Sequence, residues 1–138
     1  MATAARSQPF RVNEITGAVV NSAMKVHSLL GPGLLESAYQ ACLAHELRTR
    51  GFAVATEVPL PVVYEGHKLE IGYRIDLVIE GRVVVEVKSV DALHPIHEAQ
   101  LLSYMRLSRI GVGLLINFNV LRLRDGIKRV VDGEDWKR

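Results

Sequence analysis

Apolar residues change their spacing twice along the chain, and the changes divide it into helical and extended stretches. From Asn13 to Leu30 they recur at Ile15, Val19, Ser22/Ala23, Val26 and Leu30, the three-to-four spacing of a helix buried along one stripe. Asn13 is the expected N-cap, and Gly31-Pro32-Gly33 is the expected stop. A second helix is predicted over about Leu34 to Arg50, ending at Gly51. Beyond Gly51 the texture becomes that of strands. Phe52 to Val58 and Leu60 to Tyr64 are rich in strand formers, and the two breaks at Pro59 and Pro61 predict an edge or bent strand. Glu65-Gly66-His67 reads as a turn, followed by strands over Lys68 to Ile79 and Arg82 to Val90. Pro95 to Ser108 is predicted as a helix with proline in its first turn, and Gly111 to Asn117 as a short buried strand. Leu121 to Val131 has a strand texture broken at Asp125-Gly126. The predicted order is α-α-β-β-β-β-α-β-β, one α/β domain over residues 1–138, with loose termini at 1–12 and 132–138.

Alternation places charged groups on a sheet face. Ile75, Leu77 and Ile79 fall on one side of their strand and Asp76 and Val78 on the other; Val83, Val85 and Val87 oppose Val84, Glu86 and Lys88. A two-residue loop at Glu80-Gly81 would pair Asp76 with Val85. An odd loop such as Glu80-Gly81-Arg82, or a bulge, sets Asp76 opposite Glu86 and matches aliphatic face to aliphatic face. The odd register is therefore predicted.

Composition narrows the function classes. The chain has 138 residues, 49% hydrophobic and 23% charged, which suits one soluble domain with a real core. No run approaches a membrane span, and no apolar run follows Arg6, so neither an anchor nor a secretory leader is predicted. The single cysteine, Cys42, excludes an internal disulfide and a cysteine-rich metal cluster. A cytoplasmic location is the expectation. The net charge of +2 permits contact with a phosphate backbone without demanding it.

Two neighbouring carboxylates repel each other unless a cation or a proton intervenes. Asp76 and Glu86 therefore suit a divalent ion such as Mg²⁺ (or Mn²⁺), with the Val87 carbonyl as a further oxygen ligand. Lys88 shares the face of Glu86 and could orient or deprotonate a water or stabilise charge on a phosphate. A plain surface ion pair among Asp76, Glu86 and Lys88 is the competing reading. Glu36 stands on one helical stripe with Tyr39, Gln40, Leu43 and Leu47, so it faces inward or toward a cleft, or else serves the helix dipole. Gln100 and Tyr104 lie one turn apart on a stripe with Ile96 and Leu107, and would need partners if buried. His94 and His97 are spaced for zinc but lack a third ligand, and are expected at the surface or the site edge.

These residues resemble a known pattern. Gly33-Leu34-Leu35-Glu36-Ser37-Ala38-Tyr39 matches the signature of the GxxExxY family, placed within the PD-(D/E)xK nuclease superfamily. Asp76, then Glu86-Val87-Lys88, then Gln100-Leu101-Leu102-Ser103-Tyr104 resembles the D…ExK…QxxxY order of its RecB-like branch, over about Glu14 to Val120. The resemblance implies a restriction-endonuclease-like mixed sheet flanked by helices. It also implies Mg²⁺-dependent hydrolysis of phosphodiester bonds in nucleic acid, with DNA the expected substrate. Asp76 and Glu86 would ligate the metal, Lys88 would assist the nucleophile, Glu36 would be an additional metal or water ligand, and Gln100 and Tyr104 would position Lys88 or the nucleic acid. The alternative is a non-catalytic module on the same fold that binds nucleic acid or protein. A chain this small offers little surface to grip a duplex, so a homodimer or a partner protein is also expected.

Overall fold

In the computed structural model, residues 10–133 are described. The first helix, α1 (Val12–Leu30), buries Val12, Ile15, Val19, Ala23 and Val26, the stripe expected from the spacing except for Leu30, which is exposed, and ends at Gly31 with φ 69°. Its N-cap is Arg11 rather than Asn13. Asn13 Oδ1 instead accepts from Arg129 Nη2 at 3.1 Å. Phe10 and Val12, within the expected loose lead-in, are held in place, since Phe10 stacks on Phe52 with ring centroids 4.3 Å apart and Val12 is buried. The rest of the expected loose termini, residues 1–9 and 134–138, lies outside the described residues.

Helix α2 (Glu36–Thr49) buries Tyr39, Leu43, Ala44 and Leu47. The hydroxyl of Tyr39 donates to Gly31 O at 2.5 Å and accepts from Leu34 N–H at 3.1 Å, tying the α1–α2 turn to the helix that follows. Its ring stacks on Phe118 at 4.5 Å.

The sheet then builds outward in chain order. It contains β1 (Val54–Tyr64), β2 (His67–Ile79) and β3 (Val83–Lys88), then β4 (Val112–Asn117) and β5 (Ile127–Val131), arranged β1-β2-β3-β4-β5. Helix α3 (Pro95–Ser108) joins β3 to β4, the one parallel pair; the other neighbours are antiparallel. The two strands expected on either side of Pro59 and Pro61 are one strand, with a register shift between Leu60 and Val62. Both prolines are tolerated because β1 is an edge strand, where a missing N–H facing outward costs no ladder bond. The stretch from Leu121 contributes a 3₁₀ turn (Leu123–Gly126) before β5. Among the described residues, no helix is long and apolar enough to cross a membrane.

The two sheet faces carry separate cores. On one, α1 and α2 pack over Leu77, Ile79, Val83, Val85, Val87, Leu114 and Ile116. On the other, Leu101, Tyr104 and Met105 of α3 pack over Val78, Val84 and Leu115. The buried stripe of α3 is therefore Leu101, Tyr104 and Met105, while Ile96 and Leu107 are exposed. Gly113 lets α3 come close, since a Cβ there would lie 2.6 Å from Met105 Sδ. Ile75 belongs with Val78 and Val84, not with Leu77 and Ile79 as alternation predicts. The period breaks at Asp76, where β2 loses its regular pairing with both neighbours.

Candidate active site

The hairpin between β2 and β3 sets the geometry of the charged face. Glu80 and Gly81 both have positive φ (55° and 65°), Arg82 N–H donates to Ile79 O at 3.0 Å, and Arg82 completes a three-residue connection. The register is Ile79↔Val83, Val78↔Val84 and Leu77↔Val85, so the next position brings Asp76 to Glu86. This is the odd register expected from the aliphatic faces.

At that position the ladder opens and side chains take over its hydrogen bonds. Val87 N–H, which the register would aim at Ile75, donates to Asp76 Oδ2 at 2.8 Å. Asp76 N–H donates to Glu86 Oε2 at 3.1 Å. In an extended strand the N–H and C=O of one residue point the same way, so the Val87 carbonyl is directed toward the side where Asp76 lies. The Asp76 and Glu86 carboxyl groups thus share one notch where the β2–β3 ladder ends, with the Val87 backbone turned toward it.

The electrostatics of the notch are those of a pair short of positive charge. Burial pushes the Glu86 carboxyl up to about 9, and the neighbouring Asp76 adds to the shift. Asp76 is also raised, first by burial, with Val87 N–H acting in the opposite sense. Both shifts favour the protonated forms of the pair. Glu86 is only 4% exposed, which excludes a solvated surface ion pair as its description.

The polar groups on α3 meet this notch through Lys88. Lys88 Nζ donates to Gln100 Oε1 at 3.3 Å, and Gln100 Nε2 donates to the Tyr104 hydroxyl at 3.2 Å. The Tyr104 hydroxyl is raised above its ordinary range, chiefly by burial and then by the charge of Glu86. Tyr73, from the exposed part of β2, tilts against Tyr104 with ring centroids 5.9 Å apart. Lys88, Gln100 and Tyr104 are thus brought together as one chain of contacts beside the carboxylates.

Glu36 takes a different position. It opens α2, is exposed, and accepts from Ser89 N–H at 3.1 Å through Oε2. Ser89 Oγ donates to Leu34 O at 2.6 Å, so this contact clasps the start of α2 to the end of β3. Among the described residues, no three His, Cys, Asp or Glu side chains gather as a group able to hold a metal ion, so Glu36 does not join Asp76 and Glu86. His94 and His97 serve the N-terminus of α3. His94 Nδ1 accepts from Ile96 N–H at 3.3 Å and His97 Nδ1 from His94 N–H at 3.0 Å.

Three further residues shape the site. Buried Asn117 accepts from Val90 N–H at 3.1 Å and donates to Val90 O at 3.0 Å, fixing the segment after Lys88. Gln40 Nε2 donates to Glu57 Oε1 at 2.8 Å and to Asp76 O at 3.4 Å. Gln40 lies on the stripe headed by Glu36, a polar side chain on an otherwise inward face, and that is the signal by which sequence could have found it. Glu57 and Asn117 leave no comparable mark in a strand pattern.

The family model of the PD-(D/E)XK nuclease superfamily matches residues 13–130. The chain belongs to that superfamily, and its mixed five-stranded sheet flanked by helices is a restriction-endonuclease-like core. No curated protein and no solved structure matches the chain.

Proposed function

We propose that this chain is a metal-dependent nuclease of the GxxExxY type, hydrolysing phosphodiester bonds in nucleic acid, with DNA as the expected substrate. The observation that supports it best is the pair formed by buried Glu86 and half-buried Asp76, whose ladder positions are given up to two carboxylates that repel each other unless a cation or proton lies between them. A carboxylate pair with a backbone carbonyl directed to the same side fits Mg²⁺ or Mn²⁺, hard cations that take oxygen ligands. Asp76, Glu86 and the Val87 carbonyl would hold the ion. When bound, it would lower the pKa of a water and neutralise negative charge on the phosphate.

The chain's own groups then have separate tasks. Val87 N–H fixes the Asp76 carboxylate, and Asp76 N–H fixes that of Glu86, so neither has to be ordered when substrate arrives. Lys88, steered by Gln100, places its ammonium to stabilise charge that builds on the phosphate oxygens during attack. Tyr104 holds Gln100 in turn. Glu36 contributes by restraining Ser89, next to Lys88, rather than as a metal ligand.

The test is a panel of labelled single- and double-stranded DNA and RNA incubated with Mg²⁺ or Mn²⁺, wild type against Glu86→Ala. Metal-dependent cleavage lost in the variant is expected. Cleavage that survives Glu86→Ala rules out this site, and cleavage of nothing on the panel favours a binding module on the nuclease fold.

A further inference from the structure

The ladders on both sides of β2 skip Asp76. On the β3 side its own N–H goes to Glu86. On the β1 side the ladder pairs Thr56 with Leu77 and Val58 with Ile75, and skips the position between. The residue there is Glu57, with φ 51°, a left-handed conformation in the middle of a strand. Such a conformation costs free energy in a residue with a side chain, and it persists only where surrounding contacts impose it. The Asp76 carbonyl, left without its β1 partner, receives Gln40 Nε2 from α2 at 3.4 Å, and the same amide donates to Glu57 Oε1 at 2.8 Å. One side chain from a helix and one from an edge strand thereby replace a ladder bond.

We propose that Gln40 and Glu57 act together as positioning residues for Asp76: Glu57 orients the Gln40 amide, and the amide sets the place of the Asp76 backbone and so the divalent-ion affinity of the Asp76–Glu86 pair. The inference rests on the metal-binding reading of that pair. Neither residue touches the ion or the substrate. Their hydrogen-bonded effect reaches the site through the Gln40–Asp76 contact, in the way that outer contacts commonly hold a metal ligand in place, and the Glu57 charge also acts on Asp76 directly.

Calorimetric titration of the full chain with Mn²⁺, alongside its thermal midpoint, tests this. Gln40→Ala is expected to weaken Mn²⁺ binding about tenfold, the lower end of what loss of such an outer contact costs. Glu57→Gly is compatible with the left-handed backbone, which glycine adopts freely, and removes the side chain with its carboxylate; the same loss is expected. Glu57→Gln retains an oxygen for the Gln40 amide and should return the affinity to within about threefold of wild type, because an exposed charge contributes little. The Gln40→Ala/Glu57→Gly double variant should be no weaker than either single one, since both break one path. Mn²⁺ affinity within about twofold of wild type in Gln40→Ala, or losses that add in the double variant, overturns the proposal. A wild-type chain that binds no Mn²⁺ overturns the metal reading itself, and this inference with it.

Discussion

The two faces of the sheet are built for different purposes, and comparing them explains where chemistry can be placed. Under α1 and α2 the face is closed: Leu77, Ile79, Val83, Val85 and Val87 are fully buried among Ile15, Val19, Tyr39, Leu43 and Leu47. Under α3 the apolar cover is smaller and stops before the strand ends, where Glu86, Lys88, Gln100 and the Tyr104 hydroxyl replace hydrocarbon. Apolar burial on the closed side stabilises the fold without directional demands. That stability offsets the cost of setting two carboxyl groups side by side on the other face. Val87 shows the division within one residue, with its side chain in the closed core and its N–H on Asp76.

Substitutions should separate the two faces. The largest effect is expected for Glu86→Ala, which should lower nuclease activity on the order of 1,000-fold, comparable to removing a key electrostatic group from an active site. The same variant removes a buried carboxyl but also the acceptor of Asp76 N–H, so its thermal midpoint should stay close to that of the metal-free wild type. A marked loss of stability would show that Glu86 belongs to the structural side of the comparison. Leu77→Ala, on the closed face, should do the reverse: about 2–5 kcal/mol of stability lost in denaturant titration, with surviving folded protein still binding Mn²⁺.

The pH dependence follows from the raised carboxyls. Unfolded, Glu86 gives up its proton near its ordinary 4.5; folded and metal-free, it keeps the proton to about 9. The folded state therefore binds more protons across that window, and stability must fall as pH rises through it. One such proton corresponds to a slope of at most about 1.4 kcal/mol per pH unit. Thermal midpoints of the metal-free chain between these pH values should decline, Glu86→Gln should flatten the decline, and Mn²⁺ should relieve it most at the alkaline end. A wild-type midpoint that rises with pH would contradict the shared-proton description.

Smaller effects sharpen the contrast. Tyr39→Phe leaves Gly31 O and Leu34 N–H without their shared partner and should cost about 1–2 kcal/mol of stability in denaturant titration. Ile96→Ala, on the exposed side of α3, should change stability by less than about 0.5 kcal/mol.

Much of this arrangement was legible in the chain because it depends on local spacing. The stripes of α1 and α2, the bounds of α3 and the matched valines of β3 follow from periodicity alone. So does the odd hairpin register, because any even register would set Val85 and Val87 against the wrong face of β2. The misreadings have a common cause. Pro59 and Pro61 predict the edge or bent strand that β1 is, but not that the two stretches run on as one strand. Ile75 was assigned by alternation, which fails where β2 departs from its neighbours at Asp76. Asn13 looked like a cap, but Arg129, distant in the chain, occupies its side chain.

The residue pattern by itself determined which groups are available: two carboxylates and a lysine on adjacent strands, and a glutamine and a tyrosine one helical turn apart. Alternation and helical period are properties of a few consecutive residues, so they survive without knowledge of the fold. Tertiary structure alone decided what those groups touch. It placed Glu36 on Ser89 instead of on the Asp76–Glu86 pair, and it brought Gln40 and Glu57 to Asp76. Those contacts depend on how a helix and an edge strand pack against a break in the sheet, a geometry that no short stretch of sequence specifies.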